Sequence, residues 1–177
     1  DSGTSWYQTN LVERLKPHLS GRPKVEAILL SHRHYDNCGA APYLAETFEA
    51  KICIHQDAVA PVAGGDLFTT WASRYDSDMP AFTAVGFNEG DQFDLGDAIV
   101  EILHTPGHTL DSCSFFIAKK SAVICGDLVP SAQHPSRADF PTGNLLQMKG
   151  SLEKVKALNP ELIVCGRGEA IMGKDRC

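Results

Sequence analysis

The chain has 177 residues, 43% of them hydrophobic and 21% charged, the make-up of an ordinary globular protein with apolar content for one sizeable core, and one domain over residues 1–177 is expected. Sixteen Lys and Arg against 22 Asp and Glu leave a net charge of -6, the wrong sign for a surface that neutralises phosphates, so nucleic acid is excluded as a partner. No apolar run reaches the roughly 20 residues that cross a bilayer, and no basic-then-apolar leader opens the chain.

In chain order, Asp1-Ser2-Gly3-Thr4-Ser5 reads as a strand-to-helix turn, and a helix is expected from Trp6 to about Leu19, broken by Gly21-Arg22-Pro23. Val25 to Leu30 reads as a buried strand and His32 to Gly39 as a loop. Ala40 to Phe48 has helical spacing, and Lys51 to Ile54 is a short strand, giving β-loop-α-β. Ala63 to about Gly90 lacks periodicity and is expected to be mostly irregular, in the manner of segments that cover a site. Phe93–Gly96, Ala98–Leu103, Ser114–Ala118 and Ala122–Cys125 read as a β-meander, with a tight turn at Lys119-Lys120-Ser121. Leu145 to Leu158 is a helix stopped by Asn159-Pro160, and Leu162-Ile163-Val164 is a final strand.

The chemistry begins at Ser31-His32-Arg33-His34-Tyr35-Asp36, where a buried strand releases potential ligands at alternate positions. In extended backbone alternate side chains share a side, so His32, His34 and Asp36 are expected to converge. Leu103-His104-Thr105-Pro106-Gly107-His108-Thr109 then runs a strand into a Pro-Gly turn that presents His108, and Val123-Ile124-Cys125-Gly126-Asp127 sets a carboxylate just after another strand. Three imidazoles with one open position form the arrangement in which Zn²⁺ lowers the pKa of bound water to about 7, so the implied reaction is hydrolysis of a small-molecule substrate. One Zn²⁺ is expected, with iron as the alternative.

His104 reads as a packing or supporting residue, His18 as a complement to a helix C-terminus, His134 as a surface residue and His55 as a loop residue. The six cysteines form no C-x-x-C pair. Reduced thiols and a cytoplasmic location are expected, with Cys113, Cys125 and Cys165 as packing groups, while Cys38, beside the His motif, is a candidate soft ligand. No serine-hydrolase elbow, P-loop or dinucleotide glycine pattern is present.

Asp1-Ser2-Gly3, the His32-x-His34-x-Asp36 segment, His104-Thr105-Pro106-Gly107-His108-Thr109, Gly126-Asp127 and Cys165-Gly166-Arg167-Gly168 resemble, in this order, the five motifs of the metallo-β-lactamase superfamily. The resemblance covers nearly the whole chain. It implies an α/β fold, an αβ/βα sandwich with metals at the edge of two packed sheets. That fold ordinarily has strands before the Asp-x-Gly motif, so either an N-terminal segment is missing here or a partner chain or second copy covers the exposed edge.

By the same resemblance His32, His34 and His108 hold the first metal, Asp127 lies between two sites, and Asp36 belongs to the second. Two positions depart from the pattern. Asn37 stands where the family has a His after the Asp, and Arg167 stands where the fifth motif has a His. Asn is a weak neutral donor and Arg a permanent cation that ligates no metal, so a mononuclear centre is expected.

In that reading Arg167 replaces the second metal electrostatically, its guanidinium between Asp36 and Asp127, or else engages an anionic group on the substrate. Asp36 orients the attacking water or takes its proton. Thioesters, lactones and lactams are the candidate substrates by analogy. Two other functions carry different tests: an iron persulfide dioxygenase built on His32, His108 and Asp127, and a non-catalytic relative whose second site has decayed.

Overall fold

The computed structural model describes residues 1–19, 21 and 24–173, so Arg22, Pro23 and Cys177 lie outside the described residues. The chain divides into two compact units, residues 1–86 and 87–177.

The first unit starts with a 3-10 turn at Ser5–Tyr7 and helix α1, Gln8–Leu19. Strand β1 (Ala27–Leu29) is followed by a one-turn helix α2 (Tyr35–Cys38), helix α3 (Ala41–Phe48) and strand β2 (Lys51–His55). β1 and β2 are parallel, Ile28 facing Ile52 and Leu29 facing Cys53, and α2 and α3 supply the crossover that a parallel pair requires. Helix α4 (Gln56–Ala63), a 3-10 turn at Ala72–Tyr75 and strand β3 (Val85–Phe87) follow, in a sheet ordered β1-β2-β3. Ile28, Leu30, Leu44, Ile52, Ile54 and Val62 belong to the core of this unit.

Two expectations change here. The segment 32–39 is not all loop, because Tyr35 starts α2. Asp36 therefore leaves the chain on a helix, and strand alternation extends only from His32 to His34, whose backbone is still extended at φ -61 and ψ 140. His55 closes β2 and caps α4 through a contact from Asp57 N, so it is a buried cap rather than a loop residue. The stretch after Ala63 is mostly irregular as expected, and gains only one strand, β3, whose Val85-Gly86-Phe87 is too short to carry a periodic signal.

The second unit is a six-stranded sheet in the order β4 (Gln92–Asp94), β5 (Ile99–His104), β6 (Cys113–Ile117), β7 (Ala122–Ile124), β8 (Leu162–Val164) and β9 (Ile171–Met172). β4 to β7 form the expected antiparallel meander, and the tight turn after β6 is a 3-10 turn closed by Ser121 at φ 47. Helix α5, Leu145–Ala157, buries Met148, Ser151 and Val155, one stripe at helical spacing, and carries the chain back so that β8 runs parallel to β7. Val123, Cys125, Leu128, Met148, Val155, Ile163 and Cys165 form this core. The two-residue β9 went unseen in the sequence.

The register fixes where side chains emerge. β5, β7 and β8 run in one direction, since each antiparallel step reverses the chain and the last pairing is parallel. The loops after these strands, which carry His108, Asp127 and Arg167, therefore leave one end of the sheet, the carboxyl end where α/β folds gather ligands. No described helix is long and apolar enough to cross a membrane.

Candidate metal centre

In the first unit His32 and His34 follow β1 on alternate residues, both buried, with ring centroids 4.7 Å apart at 76°. Arg33 between them turns away, its Nη2 donating to the Asp57 carbonyl at 2.9 Å and its Nη1 to Thr69 Oγ1 at 3.4 Å. The residues after Asp66 press on the motif: Tyr35 N donates to Thr70 O at 2.7 Å, and Trp71, in a left-handed conformation at φ 61, sets its ring 6.5 Å from that of His34. A bulky residue held at positive φ is uncommon and collects at functional sites.

His32 is oriented through a short chain of bonds. The Asp1 carboxylate accepts Ser31 N at 2.7 Å on Oδ1 and Ser31 Oγ at 2.8 Å on Oδ2, and Ser31 Oγ lies 2.9 Å from His32 Nδ1. An ionised carboxylate only accepts, so the one hydroxyl proton of Ser31 goes to Asp1, and His32 Nδ1 must be the donor to Ser31. His32 Nε2, which is buried, then carries the lone pair that a metal takes. Asp36 sits half-buried in the first turn of α2. Asn37 is buried and donates from Nδ2 to Asp1 Oδ2 at 3.2 Å. The thiol of Cys38 donates to the Arg33 carbonyl at 3.0 Å, a structural use of the candidate soft ligand.

In the second unit His108 leaves a turn that requires Gly107, which stands at φ +140 with Met148 of α5 so close that any Cβ would collide with its backbone. His108 Nδ1 lies 2.9 Å from the Arg137 carbonyl, which can only accept, so here too Nε2 is left as the lone pair, 3.7 Å from Asp127 Oδ2. Phe140 packs edge-on against the imidazole at 4.7 Å, and the Arg137 guanidinium lies over the Phe140 ring at 4.8 Å. Asp127 is only 6% exposed. Its Oδ2 accepts Arg167 Nη2 at 2.9 Å, and its buried Oδ1 receives no hydrogen bond among the described residues.

Gly166 allows that approach: a Cβ there would fall 2.3 Å from Asp127 Oδ1 and 2.6 Å from the Gly126 carbonyl. Arg167 thus binds a buried carboxylate, although half its side chain reaches solvent. An oxygen buried without a donor beside a charged partner suits a cation, and two imidazoles each held in the Nδ1–H form suit a divalent metal, so these residues fit one.

Of the remaining residues, His104 Nε2 meets the Leu110 carbonyl at 2.8 Å and supports the turn, His18 is exposed in the last turn of α1, and His134 is exposed beside Ser131, all as expected. The five described cysteines are buried free thiols, and burial pushes the thiols of Cys53 and Cys113 up, so they stay protonated and inert at neutral pH. The sequence reading did not single out Ser31, Arg137 or Phe140 as supports. Ser31 adjoins the His motif and could have been found there, whereas Arg137 and Phe140 lie in a segment without periodicity.

A family model described as the metallo-beta-lactamase superfamily matches residues 1–167. A hydroxyacylglutathione hydrolase from Hahella chejuensis is 32% identical over 166 residues, 89% of this chain but 54% of that protein, so the chain spans about half its length. A probable metallo-hydrolase from Methanocaldococcus jannaschii is 28% identical over 174 residues, 96% of this chain and 81% of that one. Among solved structures the BLEG-1 B3 metallo-beta-lactamase superposes with TM-score 0.80 at 23% identity, over 93% of this chain and 78% of that chain. A protein solved in a di-iron-bound form superposes with TM-score 0.76 at 25% identity, over 92% and 78%. Candidate ligand residues after strand ends, a mixed α/β fold and a match along almost the full sequence agree, and this chain belongs to the metallo-β-lactamase superfamily.

Proposed function

We propose that this chain hydrolyses a small-molecule carbonyl substrate, a thioester foremost, with one divalent metal held by His32, His34, His108 and Asp127, residues 1–86 and 87–177 acting as one functional domain. The observation that carries this reading is the pair of contacts at the outer nitrogens of two histidines, His32 Nδ1 to Ser31 Oγ and His108 Nδ1 to the Arg137 carbonyl, each at 2.9 Å. An Nδ1–H held by Ser31 in His32, and by the Arg137 carbonyl in His108, commits each Nε2 to a Lewis acid. When bound there, the ion polarises a carbonyl and acidifies water, and Zn²⁺ is the first choice for a histidine-rich set. The relative named hydroxyacylglutathione hydrolase supports a thioester before a lactone or lactam.

The chain's own groups complete the scheme. Asp36, half-buried two residues after His34, orients the attacking water and takes its proton. Arg167 supplies a fixed positive charge to Asp127 where relatives of the usual pattern place a second metal, so the site holds one ion. That charge also offers an anchor for an anionic group on the substrate.

Iron is the second reading, supported by the relative of known structure in a di-iron-bound form. Elemental analysis by mass spectrometry on protein purified without added metal, paired with a panel of thioesters, lactones and lactams, tests both. One zinc per chain and metal-dependent thioester cleavage support the proposal. Iron together with oxygen uptake on a persulfide replaces hydrolysis with oxidation, and a metal-free chain without turnover makes it a non-catalytic relative.

A further inference from the structure

We infer that Asn37 is a positioning residue of the first metal site: its amide locks the Asp1 carboxylate that, through Ser31, sets the tautomer of His32. This rests on the single-metal reading above and assigns a task to a residue that the family pattern treats only as a lost ligand of a second metal.

The accounting of protons carries it. Asp1 Oδ1 takes the backbone N–H of Ser31, while Oδ2 takes the Ser31 hydroxyl at 2.8 Å and Asn37 Nδ2 at 3.2 Å. The two donors on Oδ2 come from opposite flanks of the His motif, residue 31 before it and residue 37 after it, and together they fix the rotation of the carboxylate. Asn37 is itself pinned. Its carbonyl accepts Ser2 N at 2.7 Å and Ser2 Oγ at 3.0 Å, and its N–H donates to the His34 carbonyl at 2.9 Å. Asp1-Ser2-Gly3 is thus tied to α2 through Asn37, and to the N-cap of α3 through Ala40 N, which donates to Gly3 O at 2.9 Å.

Without the Asn37 amide, Oδ2 keeps one donor, the carboxylate is free to turn, and the Ser31 hydroxyl can rotate to donate to His32 Nδ1 instead. That rotation moves the ring proton to Nε2 and blocks the atom a metal needs.

The test uses the whole chain with Zn²⁺ alone as probe. Competition titration should find Asn37→Leu about tenfold weaker in Zn²⁺ affinity, at the low end of what an outer-shell partner contributes, with an unchanged stoichiometry of one. In an Asp1→Asn background the same substitution should add nothing, because the acceptor it locks has lost its charge. In the metal-free protein, ¹⁵N shifts of His32 should report an Nδ1–H ring in the parent and a growing Nε2–H fraction in Asn37→Leu and in Ser31→Ala, the latter keeping this readout available should the Leu variant not fold. A parent that binds one Zn²⁺, with Asn37→Leu matching it in affinity and tautomer, overturns the role while leaving the metal reading intact. A parent that takes up no Zn²⁺ overturns both.

Discussion

The candidate ligands of residues 1–86 and those of residues 87–177 are held by different devices. In the first unit orientation comes from side chains: a carboxylate, a hydroxyl and an amide act in series on His32. In the second it comes from the main chain and from packing. A backbone carbonyl accepts the hydrogen bond from His108 Nδ1, Phe140 packs edge-on against the ring, and two glycines permit approaches that no Cβ allows. Side-chain supports can be removed one atom at a time, whereas backbone supports yield only when the loop itself is disturbed. The first region should therefore tune affinity in graded steps, and the second should respond nearly all-or-none.

Removing a ligand should have the largest effect in either region. His34→Ala and His108→Ala are each expected to weaken metal binding by more than about a hundredfold, since even outer-shell partners contribute 10- to 100-fold. Asp36→Asn should retain the metal and lower kcat by about 10²- to 10⁴-fold, the range of a general base, and full turnover in that variant removes Asp36 from the scheme. Combining Asn37→His with Arg167→His should raise bound metal from one ion toward two per chain. Failure to rise means that these two residues are not what keeps a second ion out.

Gly166→Ala sharpens the contrast between regions, because its Cβ must displace Asp127 or the Gly126 carbonyl. A loss of about 1–3 kcal/mol in chemical denaturation is expected, together with loss of metal. The smallest effect concerns thiols. Burial raises the Cys113 thiol above the ordinary range, so no thiolate forms as pH climbs through about 8.5, and alkylation of native protein at pH 9 should leave Cys113 unmodified until the chain unfolds.

Much of this was legible in the sequence, for reasons that differ by residue. Val123-Ile124 and Leu162-Ile163-Val164 announce strands because an apolar run between turn signals has few other uses, and the parallel pairing of β7 with β8 follows from the helix between them. His108 was legible because Pro106-Gly107 demands a turn. The bond from Arg167 to Asp127 matches the Asp127 side of the expected bridge between Asp36 and Asp127, and it excludes an arginine that merely faces solvent. The one-turn helix α2 was missed because four residues give no period, and that error misassigned the backbone of Asp36. The Arg137 carbonyl was invisible in principle: any residue offers a carbonyl, so side-chain identity carries no signal of it. Two residues were too few to announce β9, and the cap made by His55 shows only once α4 is known to start at Gln56.

The proposed centre requires histidines from residues 1–86 and from residues 87–177 to serve one ion. Zn²⁺ titrations of the parent, His32→Ala and His108→Ala test this most directly. One tight equivalent in the parent, lost in both variants, is the predicted result. A His108→Ala protein that still binds one equivalent with parental affinity would contradict it.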